Sequence, residues 1–471
     1  MKSARLLGLL AVAAVLVTAV LAARTHSAAR AQSSAGAGRN APAVGIHKIK
    51  HIVIIMQENR SYDEYFGAFP RGDGIPGLAG HRGKLPCVPD PQIHRCVHPF
   101  HDRHDLNRGG PHDTANGLAD IDRGKMDGFI RQKEKGLGSR PNRNPRDSVM
   151  GYHTGKEIPN YWTYARNFVL QDHMFQPNLS WSLPAHLALV SLWSAFCPNH
   201  SPMSCRNALT RPARAPHWGR HPSNKPPVYA WTDLTYLLHK HHISWRYYIF
   251  KGIEPACESD LKASCAPVTH GPFSSPSWNP LRYFDTVKND HELGYIKSVN
   301  SLFAAARNGT LPAVSWVVPS LKNSDHPPAL VSVGQTYVTG LIDTIMQSKQ
   351  WDSTAIFLAW DDWSGFYDHM RPPHVDKNGY GLRVPALMIS PYAKRGFIDH
   401  QTLSFDAYAK FIEDDFLGGQ RLNPKTDGRP DRRPDVRERV RPLNLLREFD
   451  FSQAPRKPVL LPVHPKTDFI R

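Results

Sequence analysis

The chain has 471 residues, of which 41% are hydrophobic and 21% are charged. This is a globular composition, and it excludes wholesale disorder. The formal net charge of +17 favours anionic partners, such as small anions, acidic lipid surfaces or nucleic acid, although it also fits a merely soluble surface. Because the chain carries no recognisable nucleic-acid-binding motif, we expect no nucleic-acid partner.

The first residues have the pattern of a targeting segment. Lys2 and Arg5 precede an apolar run, Leu6–Ala23, and Ala29–Ala31 offers a small-residue cleavage site. Residues 1–31 are therefore predicted to be a signal peptide, or an anchor that is retained because the run is just long enough to span a bilayer. Both readings predict a secreted or cell-envelope protein.

Strand-like and helix-like stretches alternate after a flexible leader at residues 32–45. Short apolar runs of the kind buried in parallel sheets recur four times, at Ile49–Met56, Ala313–Val318, Ala355–Trp360 and Pro385–Ser390. Helical stretches lie between them, including Thr232–His242 and Gly334–Lys349. This alternation predicts an α/β fold with a mostly parallel central sheet.

Two stretches rich in Gly, Pro, His and Arg, at residues 71–150 and 197–230, predict long loop insertions over the sheet. The six cysteines allow fifteen pairings. The simplest is closure of three short loops: Cys87 with Cys96, Cys197 with Cys205, and Cys257 with Cys265. Disulfides of this kind indicate an oxidising compartment and would fasten the insertions.

The organisation predicted from these stretches is one domain at residues 46–422. A segment rich in Pro and Arg follows at residues 423–471. This segment is expected either to pack on the domain or to extend from it.

Polar residues follow the strand-like runs. Glu58 and Asn59 come just after the first run, and Asp361 and Asp362 follow the third. Ligands gather where loops leave the carboxyl ends of parallel strands, and carboxylate and amide oxygens suit a divalent cation. Each motif alone could be a turn or a helix cap, but their recurrence predicts a shared metal site.

Three of the twenty-five histidines stand out because each lies in a predicted loop beside Pro or Gly and an acidic residue: His112, His326 and His369. A histidine in such a place can donate to phosphoryl oxygens or protonate a leaving group. The alternative for each is an ordinary loop residue on the surface.

The candidate nucleophile is Ser182, which precedes the apolar run Leu187–Leu192. With Pro184 in the first turn, Ser182 is expected at the N-terminus of a buried helix. The helix dipole and the free N–H groups there favour an oxyanion and a bound phosphoryl group. The alternative is a plain serine cap.

Several longer motifs occur together and in order: QENRSYDEYFG (57–67), GKMDGF (124–129), MGY (150–152), SLPAH (182–186), SDHPP (324–328), WDDWSGFYDHMRPP (360–373) and GLRVPALMISPYAKRG (381–396). Over residues 48–415 the chain resembles the bacterial phosphoesterase family that contains non-specific phospholipases C and a branch of acid phosphatases. The resemblance implies a three-layer sandwich similar to alkaline phosphatase.

The resemblance also implies roles for residues. One divalent metal ion would be held by five of them: Glu58, Asn59, Ser182, Asp361 and Asp362. Ser182 matches the family's nucleophile and implies a phosphoserine intermediate. His112 and His326 match histidines that contact the phosphoryl group or the leaving oxygen. His369 matches the histidine of the family's Asp-His pair after Gly-Phe-Tyr and is a further catalytic candidate.

The chain departs from the family pattern at three places. Asp362 stands where Glu is usual, which shortens the ligand arm. The stretch Ser182–His186 lacks the Asn and Arg that commonly follow the nucleophile. Phe405 lies where many members carry a histidine. A substrate pocket unlike that of the characterised branches is expected.

The function expected is that of a secreted, metal-dependent phosphoesterase, most similar to a phospholipase C acting on phospholipids. Trp181, Trp193 and Trp363 favour a lipid-facing site if exposed, and peripheral contact with an anionic membrane surface would follow; otherwise they belong to the core. The alternatives are an acid phosphatase acting on soluble phosphomonoesters and a non-catalytic surface-binding protein. The sequence leaves the oligomeric state open.

Overall fold

The computed structural model describes residues 44–137, 146–212, 227–250, 252–255, 267–270, 277–376, 378–430 and 444–470. Two units are distinguished, residues 1–48 and residues 49–471. In the first unit the described part contains one short 3-10 helix, Gly45–Lys48, and the predicted targeting segment lies outside the described residues. Within the described ranges, no helix has both the length and the apolar character needed to cross a membrane.

Eight strands of the second unit form one central sheet. In chain order they are β1 His51–Gln57, β2 Val169–Gln171, β3 Trp245–Ile249, β4 Ile296–Ser298, β5 Val314–Val318, β6 Thr354–Trp360, β7 Ala386–Ile389 and β8 Phe397–Asp399. Four small two-stranded ribbons lie outside it: Val88–Asp90 with Arg95–Val97, Phe100–His101 with Gly151–Tyr152, Ala195–Phe196 with Arg206–Asn207, and Gly252–Pro255 with Pro267–His270.

The strand order in the sheet is β4-β3-β5-β1-β6-β7-β2-β8. Every neighbouring pair is parallel except the two pairs that β7 makes, with β6 and with β2. The predicted mostly parallel sheet is confirmed. All four predicted runs form strands, and the run at 385–390 is the one that runs against the others.

Ten helices accompany the sheet in the described residues: α1 Tyr62–Phe66, α2 Thr114–Ile121, α3 Phe129–Leu137, α4 Pro159–Asn167, α5 Ser182–Ser191, α6 Leu234–Lys240, α7 Asp285–Asn289, α8 Val299–Asn308, α9 Val331–Met346 and α10 Asp406–Phe416. The helices predicted at 232–242 and 334–349 are confirmed as α6 and α9.

Aromatic contacts of β6 show that helices cover both faces of the sheet. Side chains three residues apart on a strand point to opposite faces. Phe357 stacks on Tyr408 of α10 with ring centroids 4.6 Å apart. Trp360 meets Tyr161 of α4 edge to face at 5.1 Å. Because every residue of β6 is buried, the sheet is the middle layer of a three-layer sandwich, as predicted.

The first predicted insertion, at 71–150, is more ordered than expected because it contains α2 and α3. Helix α2 begins at a capping box, in which Asp113 accepts from the Asn116 backbone N–H and Asn116 accepts from the Asp113 N–H. Two predicted disulfides are present, Cys87–Cys96 and Cys197–Cys205, and the third predicted pair lies outside the described residues.

The described C-terminal residues 444–470 pack along the domain. Phe449 forms a bridge with Ala393, and the backbone N–H of Ile470 donates to the carbonyl oxygen of Arg103 (2.8 Å). Packing on the domain is therefore the arrangement adopted by this part of the segment, and the boundary at residue 422 stays a prediction.

Candidate active site

The polar residues predicted from two separate motifs meet at one edge of the sheet. Strands β1 and β6 are parallel neighbours with Gln57 opposite Trp360, so the residues that follow both strands leave the sheet side by side. Asn59 has a left-handed backbone (φ 48°), a conformation that Asn tolerates well. Its N–H donates to Asp361 Oδ1 (3.0 Å). This turn brings the two motifs into contact.

Ser182 is the first residue of α5, as predicted, and it is buried. Its hydroxyl faces Glu58 Oε2 at 3.1 Å, Asp362 Oδ2 at 3.2 Å and Asn59 Oδ1 at 3.4 Å. Asn59 Nδ2 donates to both oxygens of Asp362 (2.9 and 3.0 Å). The structure therefore brings all five predicted metal-site residues together, and we call them, with His186 described below, the Ser182 cluster.

A glycine loop positions His112 beside this cluster. The N–H of Gly110 donates to the carbonyl oxygen of Ser364 (2.6 Å), and Gly365, with φ of 70°, approaches so closely that an added Cβ would lie 2.5 Å from Gly110 Cα. His112 Nδ1 donates to the Gly110 carbonyl oxygen (2.9 Å), which leaves Nε2 of the neutral ring to accept from Asn59 Nδ2 (2.9 Å).

Lys133 holds the same loop in place through its side chain. Its buried ammonium group donates to the carbonyl oxygens of Arg108 (2.5 Å) and Gly109. Burial, together with the nearby charge of Arg108, lowers the pKa of Lys133 to about 7. The lysine therefore fixes the loop that carries His112 and titrates in the neutral range.

His326 lies on the other side of His112, with ring centroids 6.1 Å apart. Its Nδ1 donates to the carbonyl oxygen of Pro327 (2.6 Å), which fixes the orientation of the ring. The neighbouring backbone is anchored to the cluster, because the Glu58 N–H donates to the Ser324 carbonyl oxygen (2.9 Å). Two of the three predicted histidines thus lie close together.

His186, which was not among the predicted site residues, lies one turn after Ser182 on the same helix face. His186 Nε2 donates to Glu58 Oε1 (2.8 Å) and lies 3.7 Å from Asp361 Oδ2. Burial lowers the pKa of His186 to about 4, although Asp361 opposes the shift, so the ring is neutral near pH 7. One sequence signal could have identified His186: it lies four residues after the candidate nucleophile, and residues four apart lie on the same face of a helix.

The donor set of the cluster fits a divalent cation. Burial, and then the charges of Asp361 and Asp362, raises the pKa of Glu58 well above its usual range. Asp361 Oδ2 is buried and accepts no hydrogen bond from the residues that the structure describes. Glu58, His186 and Asp361 each offer a ligand atom within 4.8 Å of the others. A cation at this place would relieve the repulsion among the carboxylates.

His369 lies in a different group of side chains. Its Nδ1 is 2.8 Å from Asp63 Oδ2 and its Nε2 is 3.7 Å from Asp73 Oδ1. Burial lowers the pKa of His369, but these two acids raise it more, to about 9. None of the hydrogen bonds described for His369 reaches the Ser182 cluster, and its catalytic role stays a prediction.

The structure decides between the two places that the sequence left open for three tryptophans, a lipid-facing surface and the core. Trp181, Trp193 and Trp363 are 3%, 4% and 0% exposed, so they belong to the core and not to a membrane surface. Their indole N–H groups are bonded internally, for example Trp363 Nε1 to Asp120 Oδ2 (2.9 Å). Phe405, at the third family departure, is fully buried and stacks on Tyr408.

A serine at a helix N-terminus beside buried carboxylates and histidines can supply an activated hydroxyl. The model of the Phosphoesterase family matches residues 49–417. The chain belongs to the Phosphoesterase family, and the family prediction is confirmed.

Characterised relatives show the same relationship. The chain is 26% identical to the non-hemolytic phospholipase C of Burkholderia pseudomallei, over 78% of this chain and 55% of that protein. It is 24% identical to phospholipase C B of Mycobacterium tuberculosis, over 77% of this chain and 72% of that protein. For non-specific phospholipase C1 of Arabidopsis thaliana the identity is 23%, over 75% and 62%. The chain thus spans little more than half the length of the Burkholderia protein.

Proposed function

We propose that this protein is an exported, metal-dependent phosphoesterase that cleaves phosphate esters through a phosphoserine on Ser182. The observation that carries the proposal is the position of the Ser182 hydroxyl, which lies 3.1–3.4 Å from Glu58, Asn59 and Asp362 at the start of a buried helix. The two disulfides and the predicted targeting segment support export.

The Ser182 cluster would hold one divalent cation through oxygen donors and one imidazole. The ligands proposed are Glu58, Asn59, Ser182, Asp361 and Asp362, with His186 as a further donor. When bound, such a cation lowers the pKa of a hydroxyl nucleophile and offsets phosphoryl charge. The mixed oxygen and nitrogen donors suit a transition metal better than Ca²⁺ or Mg²⁺.

The side chains divide the chemistry among them. Ser182 Oγ, which donates to Glu58 Oε2, would pass its proton to that carboxylate and bond to phosphorus while the ester P–O bond to the alcohol breaks. The first N–H groups of α5 would donate to the phosphoryl oxygens. His112 is held by Gly110 and Asn59. Protonation of its Nε2 would end the bond from Asn59 Nδ2 and let the Nε2–H donate to an equatorial oxygen instead. His326 in its protonated form can give its Nε2 proton to the departing alcohol. Water then hydrolyses the phosphoserine.

Phospholipids are the substrate class we favour. Three relatives in sequence are named phospholipases C. Leu106 and Leu330, each 39% exposed, form a bridge between the chain segments that lead to His112 and follow His326, and so place apolar surface near the site. The net charge of +17 favours an anionic membrane surface. An acid phosphatase acting on soluble phosphomonoesters is the alternative.

The discriminating experiment compares two substrates, phosphatidylcholine vesicles and a soluble phosphomonoester, with and without chelator. Chelator-sensitive release of phosphocholine is expected. Release of phosphate from the monoester alone would instead identify a phosphatase. If neither substrate is hydrolysed after several divalent ions are restored, the result would contradict the proposal and support a non-catalytic binding protein.

Ser182→Ala tests the nucleophile directly. Turnover should fall by about 10⁴-fold or more, because loss of a covalent nucleophile removes the chemical step, while metal content stays close to that of the unmodified protein. Ser191→Ala is the matched control, since Ser191 lies at the other end of the same buried helix and bonds to the Leu187 carbonyl oxygen. Unchanged turnover in Ser182→Ala would remove Ser182 from the mechanism.

A further inference from the structure

A second group of histidines and carboxylates lies where two strands at the border of the sheet end. Strands β2 and β8 are parallel neighbours, with Gln171 opposite Asp399. The residues that follow, Asp172 and His400, therefore leave the sheet side by side. His400 Nδ1 is 2.9 Å from Asp172 Oδ2.

A second pair faces the first. His173 Nε2 is 2.9 Å from Asp73 Oδ2, and the N–H of Asp73 donates to Asp172 Oδ2 (2.8 Å). The rings of His173 and His400 lie 5.9 Å apart between centroids. Two imidazoles and two carboxylates, from three separate segments of the chain, thus converge on one small volume.

We propose that these four residues, Asp73, Asp172, His173 and His400, form a second divalent-metal site, of the zinc class; we call them the edge cluster. Asp172, His173 and His400 each offer one ligand atom, and these atoms lie within 4.8 Å of one another. Tetrahedral zinc with bonds of about 2.0–2.2 Å needs ligand atoms roughly 3.3–3.6 Å apart, so small side-chain movements suffice. Two nitrogen and two oxygen donors favour zinc over calcium.

The charges around the site also favour a cation. Arg383 forms ion pairs with Asp63 (3.0 Å) and Asp368 (2.9 Å). It meets Asp73 and Asp172 only through their backbone carbonyl oxygens (2.7 and 3.0 Å). The carboxylates of Asp73 and Asp172 therefore face histidines, and Asp172 is fully buried. One divalent ion bound by two neutral imidazoles would balance both acids.

The proposed site joins parts of the chain that the sheet alone does not hold. Asp73 lies in the loop after α1, Asp172 and His173 follow β2, and His400 follows the border strand β8. A metal at this place would fasten that strand to the loop, so its role is structural. The site shares no residue with the Ser182 cluster, and the inference is independent of the proposed phosphoesterase activity.

The test uses the full mature chain, stripped with chelator, equilibrated with Zn²⁺ and dialysed, with bound zinc measured by mass spectrometry. The double variant His173→Asn/His400→Asn should bind one zinc fewer per chain than the unmodified protein while it keeps its phosphoesterase activity. His242→Asn, a substitution of an exposed histidine, should bind as much zinc as the unmodified protein. Equal zinc content in the double variant and the unmodified protein would overturn the proposal and leave ordinary His–Asp ion pairs.

A milder variant covers the case in which the double variant does not fold. Asp73 is 42% exposed at its side chain, so Asp73→Asn should fold and should weaken zinc binding at this site at least tenfold. Co²⁺ provides a second readout, because tetrahedral cobalt has visible absorption bands. A difference spectrum between the unmodified protein and Asp73→Asn should show those bands, and identical spectra would contradict the assignment.

Discussion

The Ser182 cluster and the edge cluster both form where strands of one sheet end, yet their acids are in opposite electrostatic situations. In the Ser182 cluster, burial and neighbouring carboxylates raise the pKa of Glu58 well above its usual range. In the edge cluster, the bond from His173 lowers the pKa of Asp73. The bond to Asp172 raises the pKa of His400.

The difference comes from solvent access and from the ratio of acids to bases. Glu58, Asp361 and Asp362 are all fully buried, whereas the His400 side chain is 59% exposed and Asp73 is 42% exposed. A buried excess of acid can be relieved only by a cation or by a proton. In the edge cluster, water can also hydrate the exposed side chains of His400 and Asp73. We therefore expect the Ser182 cluster to bind metal more tightly than the edge cluster.

Glu58→Gln should have the largest effect and should separate the two clusters. Turnover should fall at least about a hundredfold, because a proposed metal ligand is lost, and the loss of residues that only support a ligand already costs about 10–100-fold. In metal-free protein the same change should raise the melting temperature, since one of three repelling carboxylates is gone. Activity assays and thermal unfolding in chelator check both. A lower melting temperature in chelator would show that the acids are already compensated.

Arg383→Met should destabilise the fold by about 3–5 kcal/mol, because Asp63 and Asp368 would remain buried without their partner. Urea unfolding measures the loss. Arg371→Met, at an exposed arginine, should cost less than about 0.5 kcal/mol. A cost below about 1 kcal/mol for Arg383→Met would mean that the neighbouring histidines alone compensate the charges of Asp63 and Asp368.

Lys133, which holds the loop beside the Ser182 cluster, should make the free energy of unfolding depend on pH. Its pKa is about 7 in the folded chain but near 10.5 when unfolded, so the unfolded chain binds more protons between these values. Stability contributed by this group should therefore rise with pH across that window, by up to about 1.4 kcal/mol per pH unit. Unfolding free energies at several pH values check the slope. Lys133→Met should flatten it, and an unchanged slope would refute the assignment.

Asp362→Glu should have the smallest effect. Asp362 Oδ1 accepts from the Ser364 N–H (2.9 Å), a short bond within the turn that the longer Glu side chain cannot keep in the same way. Turnover should fall about tenfold. Steady-state kinetics and metal content test this, with Asp352→Asn, a change at an exposed acid, as control. A rise in turnover would mean that the shorter side chain of Asp362 limits turnover in this protein.

Much of the fold and part of the site followed from local patterns. Apolar runs predicted the four strands, and the rule that ligands gather at strand ends predicted that Glu58 and Asn59 would meet Asp361 and Asp362. Pro184 and the following apolar run correctly predicted the start of α5 at Ser182. These signals are short-range, or depend on a general property of parallel sheets, so one sequence suffices to find them.

The rest depended on long-range packing. His186 is a site residue only because its helix face turns toward Glu58, which lies 128 positions away in the chain. Trp181, Trp193 and Trp363 lie in loop-like sequence but are buried by segments distant in the chain. The capping box of Asp113 and Asn116 is a local sequence pattern that could have predicted the start of α2. The Gly- and Pro-rich composition of residues 71–150 indicated a loop instead.

The one reversed strand has a consequence for engineering. Because β7 runs against β6 and pairs with it, Ala386 opposite Ala359, the chain leaves β6 and re-enters β7 at the same edge of the sheet. Residues 363–385 therefore form a connection whose two ends lie next to each other. Such a segment could be exchanged as a unit between family members, which would transplant the rim of the site without altering the strand pairing.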